Sequence, residues 1–175
     1  MGKISRFTVL SLFAAGCASA ATSQSIIPEQ INPPAGQGLS LIVAAKGVQI
    51  YQCRESKEHA GAWEWTFVAP SADLYDTTGA KIGHHYGGPS WESADGSKVV
   101  GTTKGRADAP AAGAIPWLLL ETKSVANAGA FSKVTSIQRV NTAGGMAPKV
   151  GCSESNAGTP VRVPYTADYY FFTAK

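Results

Sequence analysis

Apolar and polar residues alternate in short runs along most of the chain, and turn residues separate the runs. The cleanest alternation is at residues 63–68, where Trp63, Trp65 and Phe67 fall on one face of a predicted strand. We expect this aromatic row to pack in the core. A sugar-stacking surface is the alternative interpretation.

Continuous apolar runs at residues 115–120 and 169–172 indicate strands that are buried. With 19 glycines and 10 prolines, the chain favours frequent turns over long helices. Eight or nine short strands of this kind predict a single all-β domain, an antiparallel sandwich or barrel.

The pair Asp95-Gly96 lies between two strand-like runs and predicts a β-hairpin, because both residues tolerate the positive φ of a tight turn. A two-residue turn at this place would pair Trp91 with Val100 across the two strands.

The first residues have the pattern of a secretory signal peptide, which we assign to residues 1–20. Lys3 and Arg6 make a positive start, residues 7–15 are apolar, and residues 18–20 read Ala-Ser-Ala, a small-residue cleavage site. Exported and then cleaved, the chain would be secreted or periplasmic.

A competing interpretation is a lipid anchor at Cys17, since residues 14–17 resemble a lipoprotein processing site except that Ala14 replaces the usual larger aliphatic residue. After the signal, residues 21–38 predict an irregular lead-in rich in Ser, Gln and Pro, and residues 39–175 a single β domain. No later apolar run is long enough for a membrane span.

The charge of the chain argues against nucleic acid as a partner. The formal net charge of +3 becomes 3 − 2 = +1 once Lys3 and Arg6 are removed with the signal. The remaining basic residues are scattered, whereas nucleic-acid binding proteins concentrate them on one surface.

Cys53 and Cys152 remain as an even pair after the signal is removed, and an exported pair predicts one structural disulfide. Neither a redox-active Cys-x-x-Cys motif nor a paired-cysteine zinc pattern occurs.

Candidate chemistry concentrates at residues 83–92, where two histidines, a tryptophan and a glutamate lie among glycines and a proline. Adjacent strand residues point to opposite faces, so His84 and His85 are poorly placed to hold one metal ion, and we assign no metal site. The predicted ligand-binding residues are His85, Tyr86, Trp91, Glu92 and Arg162.

Arg139 and Arg162 lie within strand-like segments. An arginine that points inward needs a carboxylate partner, for which Asp168 and Glu92 are the candidates. We expect such a pair to be structural, and the alternative is that the arginine holds an anionic ligand.

Several motifs together resemble a family of uncharacterised secreted proteins of bacteria and fungi, domain of unknown function 3455. They include Val-Gln-Ile-Tyr-Gln-Cys at 48–53, His-Tyr-x-Gly-Pro-x-Trp-Glu at 85–92, Ile-Pro-Trp-Leu-Leu-Leu at 115–120 and Val-Arg-Val-Pro-Tyr at 161–165. The resemblance runs from about residue 48 to the end of the chain and implies no established activity.

These observations favour a non-catalytic binding protein that uses no cofactor and whose partner is a small ligand, a glycan or another protein. One alternative is a hydrolase, either carboxylate-based or metal-assisted through His85, although no Gly-x-Ser-x-Gly nucleophile motif occurs. The other is an inhibitor of a cell-wall lytic enzyme, which rests on fold-level analogy.

Overall fold

The computed structural model describes residues 26–175, and the predicted signal peptide and Cys17 lie outside this range. Eight antiparallel strands form one sheet in which each strand pairs with the next and the last pairs with the first, closing a barrel. The strands are β1 (Gln37–Glu55), β2 (Trp63–Tyr75), β3 (Lys81–Tyr86), β4 (Ser90–Ser93), β5 (Lys98–Ala107), β6 (Trp117–Ser124), β7 (Val134–Gly144) and β8 (Pro160–Ala174). The predicted all-β antiparallel class is confirmed, in its barrel form.

Alternate residues of each strand point into the barrel. On β1, Val43 and Ala45 are buried, and their partners on β8, Tyr169 and Ala167, are buried on the same side. The same clustered core contains Phe131, which precedes β7 and is completely buried. Side chains therefore fill one part of the interior.

The two short strands β3 and β4 leave a gap in the barrel wall. β3 pairs with residues 71–75 of β2, and β4 pairs with residues 98–100 of β5, so neither reaches the remaining length of these neighbours. The β3–β4 turn at residues 87–89 lies at the base of the gap. Gly88 in this turn has φ of 133°, a conformation that glycine tolerates, and the next residue is Pro89, whose ring fixes its own φ. We call this gap, between residues 63–70 of β2 and 101–107 of β5, the notch.

The β4–β5 hairpin has a different register from the predicted one. Trp91 pairs with Val99 rather than Val100. The loop holds three residues, closed by a hydrogen bond from Ser93 N to Ser97 O of 2.9 Å, with Gly96 at φ of 83°. This is the three-residue hairpin loop that ends in a left-handed glycine. The predicted two-residue turn is therefore wrong, because Asp95 precedes the left-handed position instead of sharing it.

The predicted disulfide between Cys53 and Cys152 is confirmed, with Cα atoms 5.3 Å apart. It joins β1 to the segment that connects β7 with β8. Trp65 on β2 adds a second tie to this segment, because its Nε1–H donates to the carbonyl of Val150 at 3.0 Å. The connection thus lies against the ends of β1 and β2.

The aromatic row of β2 lies beside the notch and is only partly covered. Trp63 and Trp65 are half-buried. Phe67 packs edge-on against Tyr51, with ring centroids 5.7 Å apart, yet remains 51% exposed. The expectation that the whole row belongs to the core is therefore wrong, because β2 has no neighbour on its notch side at this level.

The segment before β1 covers part of the outer wall. Ile31, completely buried, packs with Trp117 and Val140 on the outside of β6 and β7. Gln138 Nε2 donates to the carbonyl of Ile31 at 2.6 Å, which fixes the segment to β7. Trp117 is thereby removed from solvent without facing the barrel interior.

Replacing Gly105 with alanine will weaken this packing. A Cβ at Gly105 would lie 2.0 Å from the carbonyl oxygen of Gln30, so the segment must shift away from β5. We expect a loss of about 1–3 kcal/mol in the free energy of unfolding, the usual cost of overpacking, measured by urea denaturation. Gly87→Ala is the control, because its Cβ meets only Ala69 at an ordinary 3.4 Å. Equal stability of Gly105→Ala and wild type would contradict the close contact.

Candidate functional site

A cavity of about 570 Å³ occupies the part of the barrel interior that the core leaves open. Along β1 the inward residues change from the core residues Val43 and Ala45 to Gln49 and Tyr51, which line the cavity. The residues of the notch line it as well, from Phe67 on β2, through residues 87–89, to Thr103 on β5. The cavity therefore opens to solvent through the notch.

Three aromatic side chains form the wall of the cavity that adjoins the core. His85 stacks on Trp91, with ring centroids 4.3 Å apart and planes 18° apart. Tyr169 stands edge-on to both, at 5.2 Å from His85 and 5.4 Å from Trp91. All three are buried, and we call them the aromatic floor. Their packing gives the cavity a rigid apolar base.

His85 is neutral in this environment. Its Nδ1 lies 2.8 Å from the carbonyl oxygen of Ser90, which can only accept, so Nδ1 carries the proton and Nε2 is an acceptor. The pKa of His85 is lowered to about 3, chiefly because burial disfavours the charged form; the bond to Ser90 opposes this shift and the Arg139 guanidinium adds to it. The floor therefore contributes no positive charge near neutral pH.

Two buried N–H groups at the cavity have no hydrogen-bond partner among residues 26–175. They are the side-chain amide Nε2 of Gln49 and the indole Nε1 of Trp91. A third such group, Nε1 of Trp117, lies under the outer segment and not at the cavity. A buried donor without an acceptor costs about 1–3 kcal/mol, so each of these groups lowers the stability of the fold unless an acceptor reaches it.

Two arginines give the cavity a positive character. Arg139 on β7 points inward, because its partners Leu118 and Tyr169 line the same cavity. Its Nε and Nη2 donate to the carbonyl of Pro116 at 3.0 and 2.8 Å. Arg106 on β5 lies exposed at the notch. Of the described residues that line the cavity, none is a carboxylate.

The prediction that an inward arginine pairs with a carboxylate is wrong for Arg139. The ion pairs of the described residues join Asp73 to Lys81 and His84, and Lys104 to Glu121. Asp168, one proposed partner, accepts instead from Asn141 Nδ2 at 2.8 Å. Arg139 is left with only neutral acceptors in its surroundings.

The five residues predicted as one site lie on two surfaces. His85 and Trp91 face the cavity, whereas Tyr86 and Glu92 lie on the outside of the barrel because they alternate with them. The Tyr86 hydroxyl donates to Glu92, and this bond raises the pKa of Tyr86. Arg162 lies exposed in the same outer groove of about 490 Å³. The structure therefore divides the predicted set into two residues at the cavity and three in the outer groove.

Two further features of residues 26–175 bear on function. No three His, Cys, Asp or Glu side chains in this range lie close enough together to hold a metal ion. Within the same range, no helix has the length and apolar character needed to cross a membrane.

Sequence reasoning missed Gln49, Tyr51 and Arg106 as cavity residues. For Gln49 a signal existed, since it shares a strand face with Tyr51 and Cys53 and is thus a polar residue at a buried position. For Arg106 no local signal existed. Arg106 lies at the notch because β4 is too short to pair with that part of β5, and the sequence around Arg106 does not show the length of β4.

Comparison with known families gives one match. The model described as "Protein of unknown function (DUF3455)" matches residues 34–173. Comparison with curated proteins and with solved structures returned no match.

Proposed function

Because the chain belongs to the DUF3455 family, whose description assigns no activity, we propose a function from its own residues: the protein binds a small, mostly apolar molecule inside the barrel. The observation that carries this proposal is the cavity, which combines an aromatic floor with buried donors that have no protein partner.

The size of the cavity supports a small-molecule site. Its volume of about 570 Å³ falls within the roughly 300–1,000 Å³ of ligand pockets in proteins. An eight-stranded barrel is wide enough to be filled by side chains or to hold one small ligand. Here the core residues fill one part and leave the other open, which suits the second use.

The entrance supports an apolar ligand. Phe67, Val68 and Met146 line the cavity while remaining 51%, 48% and 48% exposed. Apolar side chains grouped at an opening mark a surface that gains from being covered. An apolar molecule that enters through the notch would remove them from water and stabilise the complex through the hydrophobic effect.

Export from the cytoplasm is part of the proposal. The disulfide is typical of an oxidising compartment, and the first 20 residues have the pattern of a signal peptide. We therefore place the binding function in the periplasm or outside the cell, with a lipid anchor at Cys17 as the alternative.

The catalytic alternatives gain less support from the site. A carboxylate-based hydrolase needs acidic groups beside its substrate, but the cavity wall of the described residues has none. Glu92 lies outside the barrel, where it accepts the Tyr86 hydroxyl. A role as an inhibitor of a lytic enzyme has no specific contact in its favour.

A neutral fluorophore, N-phenyl-1-naphthylamine, tests the binding function. Thr103→Trp places an indole in the cavity, whereas Thr102→Trp places the same group on the outer surface of the same strand. We expect wild type and Thr102→Trp to bind alike in fluorescence titrations. Thr103→Trp should weaken binding at least about ten-fold, equal to ~1.4 kcal/mol.

Either of two results would overturn the proposal. One is that wild-type protein, folded by circular dichroism, does not bind the fluorophore or any apolar probe of its size. The other is that Thr103→Trp and Thr102→Trp bind equally well, which would place the bound probe outside the cavity.

A further inference from the structure

Arg139 is a charged group on the inward face of the barrel wall. It shares the inward face of β7 with Ile137, which is completely buried in the core. Its guanidinium acts on the buried groups around it, lowering the pKa of His85 and opposing the increase that burial causes in the pKa of Tyr169. Arg139 itself is half-buried, so this cation is only partly shielded from bulk water.

The protein satisfies this cation only in part. Nε and Nη2 of Arg139 donate to the carbonyl of Pro116, and the Tyr169 hydroxyl interacts with the same guanidinium, so its described partners are all neutral. Carboxylates are the usual partners of a buried arginine, because an unpaired charge is costly to remove from water. No described carboxylate pairs with Arg139, and none of the described residues that line the cavity is acidic.

The neighbouring unpartnered groups, on Gln49 and Trp91, are also hydrogen-bond donors without an acceptor. Gln49 lies beside Gly145 and close to Ile115, so its unpartnered amide is on the same stretch of wall as the Pro116–Arg139 contact. Trp91 adds an unpartnered indole N–H. Arg106 at the notch places a second cation on the path of entry.

Resting on the binding function proposed above, we propose that the ligand is an amphipathic carboxylate whose acid group pairs with Arg139 and whose apolar body lies on the aromatic floor. A planar carboxylate matches the fork of a guanidinium, which can donate two parallel N–H bonds to it. The lining residues give the apolar body aromatic contacts from Trp91 and Tyr169.

A matched pair of probes separates the acid group from the apolar body. 2-Naphthoate and 2-naphthamide have the same ring system and nearly the same shape, but only the first is an anion. In calorimetric titrations of the wild-type protein we expect 2-naphthoate to bind about ten-fold or more tightly than 2-naphthamide, the advantage of a charge-assisted over a neutral hydrogen bond.

Two variants locate the charge that causes this preference. Arg139→Gln removes the inner cation and keeps a group that can donate to Pro116. Arg54→Gln removes the same charge from an exposed side chain on the outside of β1, where it donates to the side chain of Gln52. We expect Arg139→Gln to abolish the preference for 2-naphthoate, Arg139→Lys to keep part of it, and Arg54→Gln to keep all of it.

The outcomes distinguish this inference from the proposed function. Equal binding of the two probes by wild type, or an unchanged preference in Arg139→Gln, overturns the proposal of a carboxylate ligand. Binding of N-phenyl-1-naphthylamine would in that case still support an apolar site. If the wild-type protein binds none of the three probes, both the carboxylate ligand and the proposed binding function are overturned. If Arg139→Gln is unfolded by circular dichroism, the wild-type preference and the Arg139→Lys variant decide.

Discussion

Replacing Cys53 and Cys152 together with serine lowers the free energy of unfolding by about 4–5 kcal/mol, because the crosslink closes a loop of roughly 100 residues in the unfolded chain. The two positions are 99 residues apart and join β1 to the connection before β8. Domains of this size have a total stability of about 5–15 kcal/mol, so the loss is a large part of it. Urea denaturation of the variant beside the wild type measures it.

The wild-type protein with reductant supplies the control, since it loses the crosslink without a change of side chain. Both forms should lose similar stability and still bind N-phenyl-1-naphthylamine when folded, because the barrel strands and the cavity do not depend on the sulfur bridge. A change below about 1 kcal/mol in both, the size of an ordinary surface substitution or less, would show that the crosslink contributes little to stability.

We expect the wild-type protein to lose stability between pH 6.5 and pH 3, with His85 as one of the groups responsible. Its pKa is about 3 when folded against 6.5 for an ordinary histidine. Between pH 6.5 and pH 3 the His85 side chain is therefore mostly protonated in the unfolded chain and neutral in the folded chain. The contribution of His85 to the free energy of unfolding is therefore fully present above pH 6.5. As the pH decreases below 6.5, this contribution falls by up to about 1.4 kcal/mol per pH unit, on the order of 4 kcal/mol by pH 3.

The difference between His85→Gln and wild type isolates this effect, since acidic groups that titrate in the same range are common to both. We expect His85→Gln to be less stable at pH 7, having lost the stack on Trp91, and to have a shallower pH dependence below pH 6.5. His84→Gln is the control, because that neighbouring side chain is 59% exposed. Parallel curves for wild type and His85→Gln would show that His85 accepts its proton without unfolding.

The sequence predicted the strands well and their closure poorly. Alternation and glycine-rich turns are local, so β2 and the β4–β5 hairpin were recognisable from residues close together in the chain. Closure depends on the pairing of β1 with β8, for example Val43 with Tyr169, across most of the chain. A sandwich and a barrel share the same local pattern, and only this distant pairing separates them. The disulfide was predictable because, with Cys17 assigned to the predicted signal peptide, Cys53 and Cys152 were the two cysteines that remained.

The candidate site was predicted in composition and not in shape. Of the predicted ligand-binding residues, His85 and Trp91 do line the cavity, but the alternation that separated His84 from His85 also carries Tyr86 and Glu92 to the outside. Arg139 was recognised as an unusual residue in a strand. Its lack of a carboxylate follows from which strands meet around it, and no local pattern contains that information.

The brevity of β3 and β4 has a consequence for self-association. A closed sheet protects its strands from pairing with other copies, because backbone N–H and C=O groups are already paired on both sides. Along the notch, residues 63–70 of β2 lack the neighbour that β3 would have supplied. Fibril growth or strand exchange would begin most easily at this bare backbone, and a molecule lodged in the opening would shield it.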